Sequence, residues 1–212
     1  MKIFTLLLAF GLLFVSCKPS LSVKAGNSDE ATILFSTGFS QSTAKTLKNL
    51  SGIDEKAALF NKEDILTLLL SAGATNPSAT LPTPTDITAS GTINELSKNQ
   101  LSLTGLITKS ADSITLTIGP RQIVDFYTLL NDDAKSYLDL MMIPALIGEK
   151  MSFQEYQDLL SSMYGPTFAD EIVNGKLSIN LSSPDGKKKL KDEISLGELL
   201  TAEKQKVWSL KY

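Results

Sequence analysis

The chain has little with which to do chemistry. Of 212 residues, Cys17 is the only cysteine and Arg121 the only arginine, and histidine is absent. The commonest general base and the commonest metal ligand are therefore missing, and one thiol can form neither an intramolecular disulfide nor a zinc set. Two adjacent acid pairs remain for acid–base work, Asp132/Asp133 and Asp192/Glu193. Neighbours on one helix or turn point apart, and both pairs lie beside cap or turn signals, so each reads as a solvated end and not as a divided acid and base. Neither pair has the spacing of a calcium loop. Ser110 beside Lys109 is a turn without a nucleophile elbow. No catalytic residue, metal ligand or cofactor is assigned.

Cys17 is distinguished by its position. Met1 and Lys2 lead into Ile3 to Val15, a 13-residue apolar run broken only by Thr5 and Gly11. A membrane-spanning helix needs roughly 20 such residues, so the run reads as the core of a signal peptide, residues 1–16, cut between Ser16 and Cys17. The stretch LLFVSC, 12–17, resembles a bacterial lipoprotein signal, in which a small residue precedes the cysteine that receives diacylglycerol. Phe14 and Val15 stand where the usual pattern has Leu and a small residue, which is similar to the relaxed signals of spirochaetes. The resemblance covers residues 1–17 alone. It implies a membrane partner reached through acyl chains, palmitate among them, on Cys17. Two or three such chains, at about 0.8 kcal/mol per buried methylene, exceed what stable attachment requires. Lys18 is not the aspartate that tends to hold enteric lipoproteins at the inner membrane, which points to the outer one.

Charge narrows the partners further. Twenty basic residues against 23 acidic ones leave a formal net charge of −3, without the basic face that nucleic acid needs. The run Lys187 to Lys191 reads as an exposed hairpin end, four lysines that could touch anionic head groups if they lay near a membrane.

The elements beyond the leader have to be read from period and punctuation. Residues 17–30 are rich in Ser and Lys, with Pro19 and Gly26, and read as a lipidated flexible tether before one domain spanning 31–212. A short strand ends at Gly38, followed by a helix closed by Gly52 and another opened by Asn61 with Glu63 and Asp64 in its first turn. Residues 74–85 hold three prolines and read as an extended loop. Alternating apolar residues at 87–93, 101–107 and 114–118 predict a three-stranded antiparallel meander with one apolar and one Ser/Thr face. Helices follow from Pro120, and a capping box at Ser152 and Glu155 opens another. A short helix ending at Gly175, a strand at 177–181, a helix opened by Ser195 and Glu198 and a closing edge strand VWSLKY complete the chain. The expected class is α+β: a small antiparallel sheet with helices packed on one face.

The densest apolar stretch after the leader is YLDLMMIPALIG, 137–148. Leu138, Leu140, Met141, Met142, Ile143, Leu146 and Ile147 are candidates for contact with lipid or a protein partner, because adaptable methionines suit irregular or lipid-facing surfaces. Helices this apolar also serve as cover for a sheet. Three readings follow: a lipid-anchored, non-enzymatic envelope protein that contacts lipid or an envelope component through its apolar helices; a carrier of lipid or a small hydrophobe in a cavity between sheet and helices; and, lowest of the three, a carboxylate-dependent hydrolase of envelope polymers.

Overall fold

Leu21, Val23 and Ala25 alternate with Ser22 and Lys24, the period-two pattern of a strand that buries one face. In the computed structural model, which describes residues 19–128, 135, 138–139 and 141–212 (Ser51, Leu68, Ser71 and Phe126 by backbone alone), these residues form the first strand. In chain order the elements are Ser20–Ala25 (β1), Glu30–Gly38 (β2), Gln41–Ser51 (α1), Lys62–Ser71 (α2), Ala74–Thr83 (β3), Asp86–Asn94 (β4), Gln100–Leu103 (α3), Ile107–Lys109 (β5) and Ser113–Ile118 (β6). Then come Pro120–Thr128 (α4), Pro144–Ile147 (α5), Phe153–Tyr164 (α6), Pro166–Asn174 (α7), Lys176–Ser182 (β7), Lys189–Ser195 (β8), Leu196–Leu200 (α8) and Lys206–Lys211 (β9).

The chain is α+β. A six-stranded sheet runs β3-β4-β2-β1-β7-β8 and a three-stranded antiparallel sheet runs β5-β6-β9. All neighbours in the larger sheet are antiparallel except β1 and β7, which run parallel. Registers fix one apolar face: Leu21 stands opposite Phe35 and Ile179, Val23 opposite Ile33 and Leu181, and Ala31 opposite Ile93. Burying a large side chain on this face contributes about 1.5–3 kcal/mol, and Leu21, Val23, Ile87, Leu177 and Ile179 are wholly buried. The smaller sheet repeats the arrangement, with Ile107, Leu116 and Trp208 in one row and Ile114 beside Leu210 in the next, all within one continuous apolar core.

Three expectations are corrected. Residues 17–30 are not a tether over their length, because β1 occupies the centre of the sheet, between β2 and β7. Residues 74–85 are not a loop: Ala74–Thr83 is an edge strand whose prolines are accommodated where the ladder breaks register, between Thr75 and Ser78 and between Thr80 and Thr83. An edge strand tolerates proline because a lost N–H there leaves no ladder partner unpaired. The expected meander survives only as its last hairpin, in which Ile107 pairs with Leu116 across β5 and β6; the 87–93 run belongs to the other sheet. Strand β4 joins β2 and β3, residues 96–103 coil into a 3-10 turn and α3 under the cap of Asn99, whose Oδ1 accepts from the Leu101 N–H at 3.0 Å, and Ile114, Leu116 and Ile118 belong to the second sheet.

Cap chemistry sets the helix starts. Ser152 and Glu155 form a reciprocal capping box on α6, and the Ser195 hydroxyl accepts from the Glu198 N–H at the start of α8. Asn61 Oδ1 accepts from the Glu63 N–H at 2.9 Å just before α2. The Ser40 hydroxyl accepts from the Thr43 N–H at the start of α1, which ends at Gly52 in the left-handed region.

Candidate functional site

The 138–147 segment lies mostly inside the core. Leu138, Met141 and Ile143 are buried, Met142 and Leu146 are half-buried, and Ile147 is 40% exposed. Leu140 lies outside the described residues. The buried Tyr156 of α6 donates its phenol proton to the Met141 carbonyl oxygen at 2.7 Å, and burial holds that phenol well above the usual tyrosine range. Tyr127 of α4 donates to Asp139 at 2.8 Å. Both polar contacts fix the first part of the segment, at Asp139 and Met141. Among the described contact candidates Ile147 is the one exposed residue, so the described part of the segment is mostly packed into the core.

Asp192 and Glu193 do not converge on a common site. Asp192 accepts from the Trp208 indole N–H at 2.7 Å, while Glu193 accepts from the Ser178 hydroxyl at 3.2 Å. Successive strand residues point to opposite faces, so the two carboxylates diverge as their adjacency implies. Asp132 and Asp133 lie outside the described residues. Among the described residues no three His, Cys, Asp or Glu side chains gather in a way that could hold a metal ion.

The carboxylate that gathers most partners was not singled out in the sequence. Glu171 of α7 accepts from the Ser40 backbone N–H at 2.7 Å and from the hydroxyls of Ser40 and Thr43. Ser40 Oγ in turn accepts from the Thr43 N–H, capping α1. The carboxylate lies at the start of α1, where it complements the positive end of that helix and ties it to α7. Glu171 sits 131 residues from Ser40, so no local signal marks the pair.

The opposite face of the large sheet is polar and carries most of the exposed strand surface. One row across it reads Thr80, Thr88, Ser36, Ser20, Ser178 and Glu193; another reads Thr75, Thr92, Thr32, Lys24, Ser182 and Lys189. Hydroxyls pair across strands, Ser20 with Ser36 at 2.7 Å and Thr32 with Thr92 at 3.0 Å. Its one large apolar residue is Leu34, 41% exposed. Sequence alternation shows Ser/Thr faces strand by strand, but their union into one surface depends on β1 and β3, which composition disguises.

Cys17 itself lies outside the described residues. Pro19, the first described residue, is buried, and its carbonyl oxygen accepts from the Ser178 N–H at 2.9 Å. Among the described residues no helix is long and apolar enough to cross a membrane. Comparison with protein-family models, curated proteins and solved structures returns no match in any of the three.

Proposed function

We propose that the chain is a lipid-anchored, non-enzymatic protein of a bacterial cell envelope, held at the outer membrane by acyl chains on Cys17. The observation that carries this reading is the apolar run Ile3 to Val15 ending at Ser16 and Cys17, the only cysteine in the chain. An exported protein with a single free thiol is exposed to unwanted pairing, and acylation removes that thiol. The divergence of Asp192 and Glu193 and the structural engagement of Glu171 favour a binding or scaffolding role over hydrolysis. Contact with lipid or an envelope component then falls to the outer surface of the sheet and helices, with Ile147 as the part of the 138–147 segment available to it.

Metabolic labelling with palmitate in a bacterial host tests this reading. The wild-type chain is expected to take up label and partition into detergent, whereas Cys17→Ala yields an unlabelled, longer precursor. Label entering the Cys17→Ala chain at the wild-type level would sink the reading.

A further inference from the structure

The distance between the proposed anchor and the sheet is too short for the body to hang freely from the membrane. Cys17 and Ser20 are separated by three peptide units, so their Cα atoms stand at most about 11 Å apart. Ser20 opens β1, and its neighbours in register are Ser36 of β2 and Ser178 of β7. Just beyond them, at the same end of the sheet, Gly38 pairs with Asp86 and Lys176 pairs with Ser195. This rim therefore consists of the β2–α1 junction, the β3–β4 turn with its exposed Pro84, and the α7–β7 junction with its exposed Lys176.

The lysine turn occupies the other end. Lys24, four residues along β1 from Ser20, pairs with Ser182, which pairs with Lys189. At about 3.3 Å per residue, that row stands about 13 Å farther along the strands than Ser20, and Lys187 and Lys188 lie in the turn beyond it. The rim near Ser20, in contrast, mixes Asp86, Glu171 and Lys176 and has no basic excess.

Resting on the lipid-anchor reading, we infer that the Ser20 rim of the six-stranded sheet is seated against the lipid head groups, with the 183–188 lysine turn directed away from the bilayer. The short chain, and not charge, enforces this seating. The lysines then face the aqueous side and take no part in binding the anchoring membrane. Orientation follows from β1 beginning so soon after Cys17; with residues 17–30 as a free tether, no part of the domain would be favoured.

The test uses the full acylated chain reconstituted in vesicles of phosphatidylcholine and phosphatidylethanolamine, a fraction of whose head groups carry a nitroxide quencher. Since Cys17 is the only native cysteine, acylation leaves an introduced cysteine as the sole free thiol for a fluorophore. Pro84→Cys and Lys176→Cys labels are expected to be quenched several-fold more than a Lys188→Cys label. Inserting ten Gly/Ser residues between Lys18 and Pro19 is expected to abolish that difference. Equal quenching at the three positions, or stronger quenching at 188, overturns the inference while leaving the anchor intact. A mass spectrum showing unmodified Cys17 overturns both, so the two failures are distinguishable.

Discussion

The Ser178 backbone N–H donates to the Pro19 carbonyl oxygen at 2.9 Å, so the ladder between the first and seventh strands is already engaged two residues after Cys17. That bond places the first described residues in the middle of the chain's larger sheet. An element that could be dispensed with as a spacer instead carries Leu21 and Val23, both wholly buried.

Leu21→Ala is therefore expected to destabilise the fold by about 2–5 kcal/mol, the range for truncating a buried leucine, read from the urea unfolding midpoint. Leu34→Ser, on the polar face of the neighbouring strand, is expected to change stability by no more than about 0.5 kcal/mol. Equal effects from the two would mean that β1 is not a core strand.

Tyr156→Phe removes the phenol donor to the Met141 carbonyl while keeping the ring. Leaving that buried oxygen without its donor costs about 1–3 kcal/mol. The alkaline limb supplies a second readout. Burial raises the Tyr156 phenol above its unfolded value of about 10, so the unfolded chain loses protons first and stability falls as pH rises above that value. The phenylalanine variant is expected to show a shallower alkaline loss in denaturation midpoints measured between neutral and strongly alkaline pH.

Glu171→Ala detaches α1 from α7 by removing the acceptor for Ser40 and Thr43. A loss of about 1–3 kcal/mol is expected, and a double-mutant cycle with Thr43→Val should give a coupling of about 0.5–3 kcal/mol. Strictly additive effects would show that the carboxylate and the hydroxyl act independently.

Acid pH is expected to weaken the fold by a separate route. The Ser97 hydroxyl holds Asp29 below the usual carboxylate range, Lys45 does so for Glu55, the Ser152 N–H for Glu155 and the Ser183 hydroxyl for Asp185. Each pKa is lower folded than unfolded, so the unfolded state binds more protons. The stabilisation is present above about pH 4–4.5 and is lost as pH falls through the folded values. All four groups are exposed, so the loss is expected to be gradual. Ser97→Ala is expected to flatten it, read as the change in urea midpoint between pH 7 and pH 3.

Sequence disclosed the helical half of the fold better than the sheets. Caps are local, and the box at Ser152 and Glu155, the Asn61 cap and the Gly52 terminus all fall where their residue types place them. Strand partners are not local. The alternation of Leu21, Val23 and Ala25 is visible, but Ser, Lys, Pro and Gly around it carry the composition of a linker, and only pairing with Ile179 and Leu181, more than 150 residues away, makes it a central strand. The prolines of β3 disguise an edge strand for the same reason. In the candidate site, the burial of Leu138, Met141 and Ile143 agrees with apolar residues covering a sheet, whereas the grouping of Glu171 with Ser40 and Thr43 has no signature short of the tertiary structure.

The central claim is that Cys17 carries the lipid, and the intact mass of the chain recovered from bacterial membranes tests it most directly. The expected mass is that of a chain beginning at Cys17 plus a diacylglyceryl group, with or without a third acyl chain. A chain that retains residues 1–16, or that begins elsewhere with an unmodified Cys17, would contradict it.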